Sequence, residues 1–215
     1  ADFAAADPVP RASALDLDLD WERGRLEGRA RAGSFGPLAL GTGRIAWTPQ
    51  MESRPASRAA RGSRRAAPSA PRLELDAQLA GSLRDALELA RVTALPASAL
   101  ADLDGRAALA VRWREPDDDS PQARARALEL GIDVSQARWR LVPGAAALEG
   151  LAGRLRADGT GLRDGRVAGR WLGGPVELRL DGAAPVGLRV VAGGRIERAA
   201  LRREWAWVEL VTRGG

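Results

Sequence analysis

Five residue types are missing from this 215-residue sequence: cysteine, histidine, tyrosine, lysine and asparagine. Each absence removes a class of chemistry. Without cysteine there is no disulfide framework, no thiol nucleophile and no thiolate zinc site. Without histidine there is no Ser-His-Asp triad and no imidazole metal ligand. Without lysine there is no Schiff base and no phosphate-loop lysine. Without asparagine there is no N-glycosylation acceptor. Long hydrophobic runs are missing too. No stretch reaches the roughly 18 apolar residues that a membrane helix needs. An enzyme built from this vocabulary would have to work with carboxylates, serine or arginine.

What is present is ordinary in amount and unusual in kind. Hydrophobic residues make up 45% and charged residues 28%, as in a globular chain. All 33 basic residues are arginine, set among 28 acids, for a net charge of +5. An arginine- and alanine-rich vocabulary matches GC-rich coding, so arginine excess alone carries no function. The two signs mostly alternate, whereas a nucleic-acid binder gathers its positive charge into a patch. No nucleic-acid partner is therefore expected. The opening Ala1-Asp2-Phe3 has neither a basic segment nor an apolar core; if the protein works outside the cytoplasm, its targeting segment lies upstream of these residues.

The dominant pattern has period two. Leu15, Leu17, Leu19 and Trp21 alternate with Asp16, Asp18, Asp20 and Glu22. That spacing puts apolar side chains on one face of a strand and carboxylates on the other. The pattern returns at 73–79, 107–113, 128–134, 137–141, 151–155, 167–171, 176–180, 188–190 and 204–211. Gly24, Gly36-Pro37, Pro143-Gly144, Asp158-Gly159, Asp164-Gly165, Gly173-Gly174-Pro175, Asp181-Gly182 and Gly193-Gly194 read as turns. About ten to twelve strands in antiparallel meanders follow. Ser82 with Asp85 resembles a capping box, and Leu83, Ala86, Leu87 and Ala90 keep helical spacing. One short helical excursion is expected near 82–101, interrupted by Pro96. The fold class is mainly β, with long antiparallel strands. Residues 1–50 supply N-terminal strands, 51–72 a disordered Arg/Ala/Ser/Pro loop, and 73–215 the main groove segment. Residues 115–122, with Asp117, Asp118 and Asp119, read as a second exposed loop.

The candidate sites for chemistry are weak. Arg54, Arg58, Arg61, Arg64 and Arg65 have no interleaved aromatics for base stacking and read as a solvated loop. The Asp117–Asp119 run lacks the alternate ligands, central glycine and distal glutamate of a calcium loop. Gly159-Thr160-Gly161 has neither the spacing nor the lysine of a phosphate loop. The strand carboxylates face away from the apolar side, as a water-facing surface requires, and none reads as a raised-pKa acid. No enzyme, metal or cofactor is expected. The tryptophans are more informative: Trp21, Trp113, Trp139 and Trp171 sit on or extend apolar faces. They either fill a core or rim an apolar surface meant to be occupied. One short helix is too little to roof ten strands, which leaves two arrangements. Two sheets cover each other in a sandwich, or one sheet curls into a trough.

From Leu128 to Leu201 the sequence resembles the YhdP branch of the AsmA-like family of large bacterial envelope proteins. The matching features run in order. Ala137-Arg138-Trp139-Arg140-Leu141 precedes Pro143-Gly144, and then comes Leu148-Glu149-Gly150-Leu151-Ala152-Gly153-Arg154-Leu155. Gly169-Arg170-Trp171-Leu172-Gly173-Gly174-Pro175-Val176 looks like that family's Leu-Gly-Gly-Pro strand junction, and Gly193-Gly194-Arg195-Ile196 like the strand after it. The family's membrane-anchoring helix is not among these residues, and 52–72 looks like an insertion. The resemblance implies a long twisted antiparallel sheet forming a trough, a piece of a periplasm-spanning protein with an inner-membrane anchor upstream. Its apolar groove would shield phospholipid acyl chains between inner and outer membranes, in outer-membrane biogenesis. The expected groove-lining residues are Leu75, Leu109, Val111, Leu130, Ile132, Trp139, Trp171, Leu178 and Val190. Burying a methylene is worth about 0.8 kcal/mol, so such a groove would offset most of the cost of a bare acyl chain in water without catalysis. The alternative is a non-catalytic β-sandwich or scaffold module of the cell envelope, with the same residues interdigitated in a solid core.

Overall fold

The computed structural model describes residues 12–48, 72–90, 102–116, 118, 120–140, 145–183 and 187–204. The expected loop at 51–71, the helical turns at 97–101, the Pro143-Gly144 turn and the strand at 205–211 lie outside them. So do the loop arginines 54–65, Asp117 and Asp119.

Ten strands form one open antiparallel sheet in which every strand pairs with its neighbours in sequence. They are β1 (Ala12–Glu22), β2 (Arg25–Phe35), β3 (Leu38–Thr48), β4 (Arg72–Ser82) and β5 (Leu103–Arg114), then β6 (Leu128–Trp139), β7 (Leu148–Asp158), β8 (Gly161–Trp171), β9 (Gly174–Ala183) and β10 (Gly187–Gly194). The two-sheet sandwich is thus not the arrangement adopted. Period-two alternation with short glycine turns favours this meander: in β1–β2–β3 and β7–β8–β9 each strand finds its partner across a two-residue turn.

Register fixes which side chains share a face. One row of directly opposed residues crosses eight strands: Leu40, Leu79, Leu109, Ile132, Leu155, Gly165, Leu180 and Val190. A second joins Leu19, Gly28, Ile45, Leu75, Trp113 and Leu128. The opposite face is charged in the same register, with Arg44, Asp76, Arg112 and Glu129 in one row. Arg112 Nε lies 3.0 Å from Asp76 Oδ1, and Arg154 Nε lies 2.7 Å from Asp133 Oδ1. These pairs are solvent-exposed, so they specify register more than they stabilise.

Three positions read as turns from sequence, Asp164-Gly165, Asp181-Gly182 and Gly193-Gly194, lie inside strands instead. Gly165 is within β8, where an added Cβ would sit 2.4 Å from Leu155 Cδ2. Gly182 is within β9, where an added Cβ would meet the Leu162 carbonyl oxygen at 1.9 Å. Gly165 and Gly182 exist for close approach, not for chain reversal. Similarly, the runs 128–134 and 137–139 form one strand, β6, with a bulge where Gln136 takes a φ of 52°.

Three short helices complete the described structure. α1 (Leu83–Leu89) begins where expected, with Asp85 N donating to Ser82 Oγ at 3.1 Å. α2 (Pro121–Arg126) occupies part of what reads as a loop. Ser120 caps it by accepting from Ala123 N at 3.1 Å, and proline stands in its first turn. α3 (Arg198–Glu204) follows β10.

Candidate functional site

The described part of the molecule offers one extended apolar surface, the sheet face that carries the expected groove residues. Its two halves differ. Over β5–β9 the face is sealed. Leu109 and Ile132 are 0% exposed, and Leu178, Leu130 and Trp139 are buried with them. α1 lies against this half through Leu83, Ala86 and Leu87. Leu83 and Leu87 line a single small void together with Leu103, Val134, Trp139, Leu151, Leu155, Leu162, Val167 and Leu180. Those residues come from five consecutive strands, which span roughly 19 Å when flat at a spacing of about 4.8 Å. They reach one void because the sheet curls around α1. The void measures about 40 Å³. An apolar cavity known to take benzene measures about 150 Å³. An acyl chain has no room there.

Over β1 and much of β2–β4 the same face is open, although Leu38 of β3 and Leu79 of β4 are buried in the core. Leu15 is 41% exposed, Leu19 61% and Trp21 62%. Leu17, Leu26, Ile45, Trp47, Leu73 and Leu75 beside them are half-buried. Trp21 and Trp47 stack at a centroid distance of 5.6 Å with an interplanar angle of 20°. The two indoles thus meet across β1–β3, over Leu26 of β2, which separates them in the register. Gly28 makes room for Leu19, whose Cδ2 lies 2.8 Å from where a Cβ would be. The leucine is thus pressed onto the sheet while its outer side meets solvent.

The expected lining residues therefore share a face but not an environment. Leu109, Leu130, Ile132, Trp139 and Leu178 are core. Val111 and Trp171 are half-buried at its margins, Trp171 donating its Nε1 to the Ala146 carbonyl at 3.1 Å. Leu75 belongs to the open half. Val190, 36% exposed, stands on the last strand. Leu15, Leu19, Ile45 and Trp47 are not among the expected lining residues, and Trp21 reads from sequence only as core or rim. The signal for Leu15, Leu19 and Trp21 is the alternation of β1, and for Ile45 and Trp47 their i, i+2 spacing in β3.

Polar features are shallow by comparison. Two open concavities of about 490 and 640 Å³ share Arg138 and Arg140 at one end of the sheet. Their arginines are interspersed with Asp85, Asp102, Asp104 and Glu149. Among the described residues no polar or charged side chain is buried, and no three acids are grouped to hold a metal ion. Hydrogen bonds from Ser120 hold the Asp118 carboxyl below the ordinary carboxylate range. Partial burial pushes Asp158 upward, but hydrogen bonds from Thr160 and Arg163 outweigh it and leave the group low. Such carboxylates stay ionised and cap their turns. No family model, curated protein or solved structure matches the chain.

Proposed function

We propose that the chain is a segment of an AsmA-like envelope protein of the YhdP branch. In this reading its sheet shields phospholipid acyl chains on their way between inner and outer membranes. The seat for those chains is the open face of β1–β4, not the whole trough. The observation that carries the reading is the apolar strip formed by Leu15, Leu19 and the stacked Trp21–Trp47 pair, left to solvent on a sheet that elsewhere covers the same face. A contiguous exposed apolar surface is a docking site for something apolar. An extended strip bordered by charge on the reverse face suits a flexible hydrocarbon, which needs width and length but no directional partners.

Photo-crosslinking tests this. A benzophenone side chain placed at Leu19, Ile45 or Leu75 of the purified protein is expected to capture phospholipid from vesicles. The same probe at Asp18, Arg44 or Asp76, on the reverse face, is expected not to. Adducts from the charged positions alone would overturn the assignment. A second reading is a non-catalytic envelope scaffold, with the apolar face serving only as core. The sealed packing over β5–β9 favours it for that half, and absence of lipid adducts at every position would favour it for the whole.

A further inference from the structure

The outer edge of β1 has no partner strand among the described residues, and its chemistry differs from that of every other strand. β1 pairs with β2 alone. Sheets commonly protect such an edge with a proline, a basic residue, a bulge or a covering loop. From Leu17 to Glu22 β1 has no proline or arginine, and its register irregularities fall earlier, between Ser13 and Leu17. It also bears the most exposed large apolar side chains described in the molecule, Leu19 and Trp21.

Charge says what kind of strand fits. β1 is the one strand of the ten with no arginine; its charged face is Asp16, Asp18, Asp20 and Glu22. Inside the sheet an acid on this face can have arginine on both sides: Asp76 is directly opposed by Arg44 and by Arg112. On β1 only one side is supplied. Arg31 pairs with Asp18, and Arg25 stands opposite Glu22. Asp16 faces Ala32, and Asp20 faces Glu27. Those two acids therefore lack an opposed cation, and the free edge is where one would stand. β10, at the other edge, is shorter, contains Gly187, Gly193 and Gly194, and carries only Arg189 as a charge. It is a poor complement for β1 in a second copy.

We infer that β1 is a docking edge for an extended polypeptide strand that alternates apolar with basic residues. Its apolar side chains would extend the strip of Leu15, Leu19 and Trp21. Its basic side chains would complete the row of Asp16, Asp18, Asp20 and Glu22. Backbone hydrogen bonds supply affinity in such strand addition, and the alternate side chains supply selectivity. The inference is independent of whether the open face carries lipid.

Hydrogen exchange on the full chain tests it. A capped peptide of about nine residues alternating valine with arginine is the probe, and the same peptide with glutamate for arginine is the control. The arginine peptide is expected to slow exchange of the β1 amides not bonded to β2 by about tenfold or more, with no protection from the glutamate peptide. Asp16→Asn with Asp20→Asn is expected to weaken binding about fivefold while leaving exchange elsewhere unchanged. Equal protection by both peptides, protection at β10 or spread over the sheet, or no protection would each overturn the inference. So would concentration-dependent protection of β1 without peptide, since the occupant would then be a second copy.

Discussion

The two halves of this sheet are built from the same alternation, yet one face is a core and the other a surface. In β5–β9 the alternating positions hold Leu109, Leu130, Ile132, Val134 and Leu155, and α1 together with the curl of the sheet closes over them. In β1–β4 they hold Leu15, Leu19, Trp21, Ile45 and Trp47, with the same period and comparable bulk, and solvent reaches them. Strand patterning therefore decides which side chains face the same way. It does not decide whether that face is covered. Cover comes from a seven-residue helix, anchored by Ser82, which reaches β4–β6 and around which the later strands fold. Leu38 of β3 still joins that core, whereas Leu15, Leu19 and Trp21 of β1 lie outside it.

Stability measurements give the largest contrast. Ile132→Ala removes fully buried methyl groups from the sealed half and is expected to destabilise by about 3 kcal/mol in urea unfolding. Leu19→Ala, on the open half, is expected to cost under about 1 kcal/mol, because much of its side chain is already wet. Equal losses at the two sites would break the distinction between core and surface. A smaller contrast comes from glycine. An alanine Cβ at Gly153 would stand 2.1 Å from the Arg166 carbonyl oxygen, where φ is also +156°, so Gly153→Ala is expected to cost roughly 2 kcal/mol. At Gly41, in β3, the nearest atom is the Gln78 carbonyl oxygen at an ordinary 3.7 Å, and alanine there is expected to be near neutral in the same unfolding assay.

Much of this was legible in the sequence. Period-two runs identify the strands, and Ser82 with Asp85 marks the start of α1. Direct hairpin turns at Gly24, Gly36-Pro37, Asp158-Gly159 and Gly173 fall where glycine or proline stands. Less legible was anything set by a neighbour across the sheet. Gly165 and Gly182 look like turn residues because a sequence shows the missing side chain and not the Leu155 methyl group or Leu162 carbonyl that takes its place. α2 was hidden because its apolar content is low. Its capping serine and first-turn proline were the only local signals, and acidic residues before it suggested a loop. The candidate site was legible as a face but not as two environments. Leu109 and Leu19 sit in similar local patterns, and only the position of α1 and the curl of the later strands separate them.

The most direct test of the account is hydroxyl-radical footprinting with and without a short-chain phosphatidylcholine held below its micelle-forming concentration. Without lipid, Leu19 and Trp21 are expected to oxidise readily, while Leu109 and Ile132 stay unmodified. With lipid, oxidation at Leu19 and Trp21 is expected to fall while the reverse-face residues keep their rates. Oxidation of Leu109 and Ile132, or unchanged labelling of Leu19 and Trp21 at saturating lipid, would contradict it.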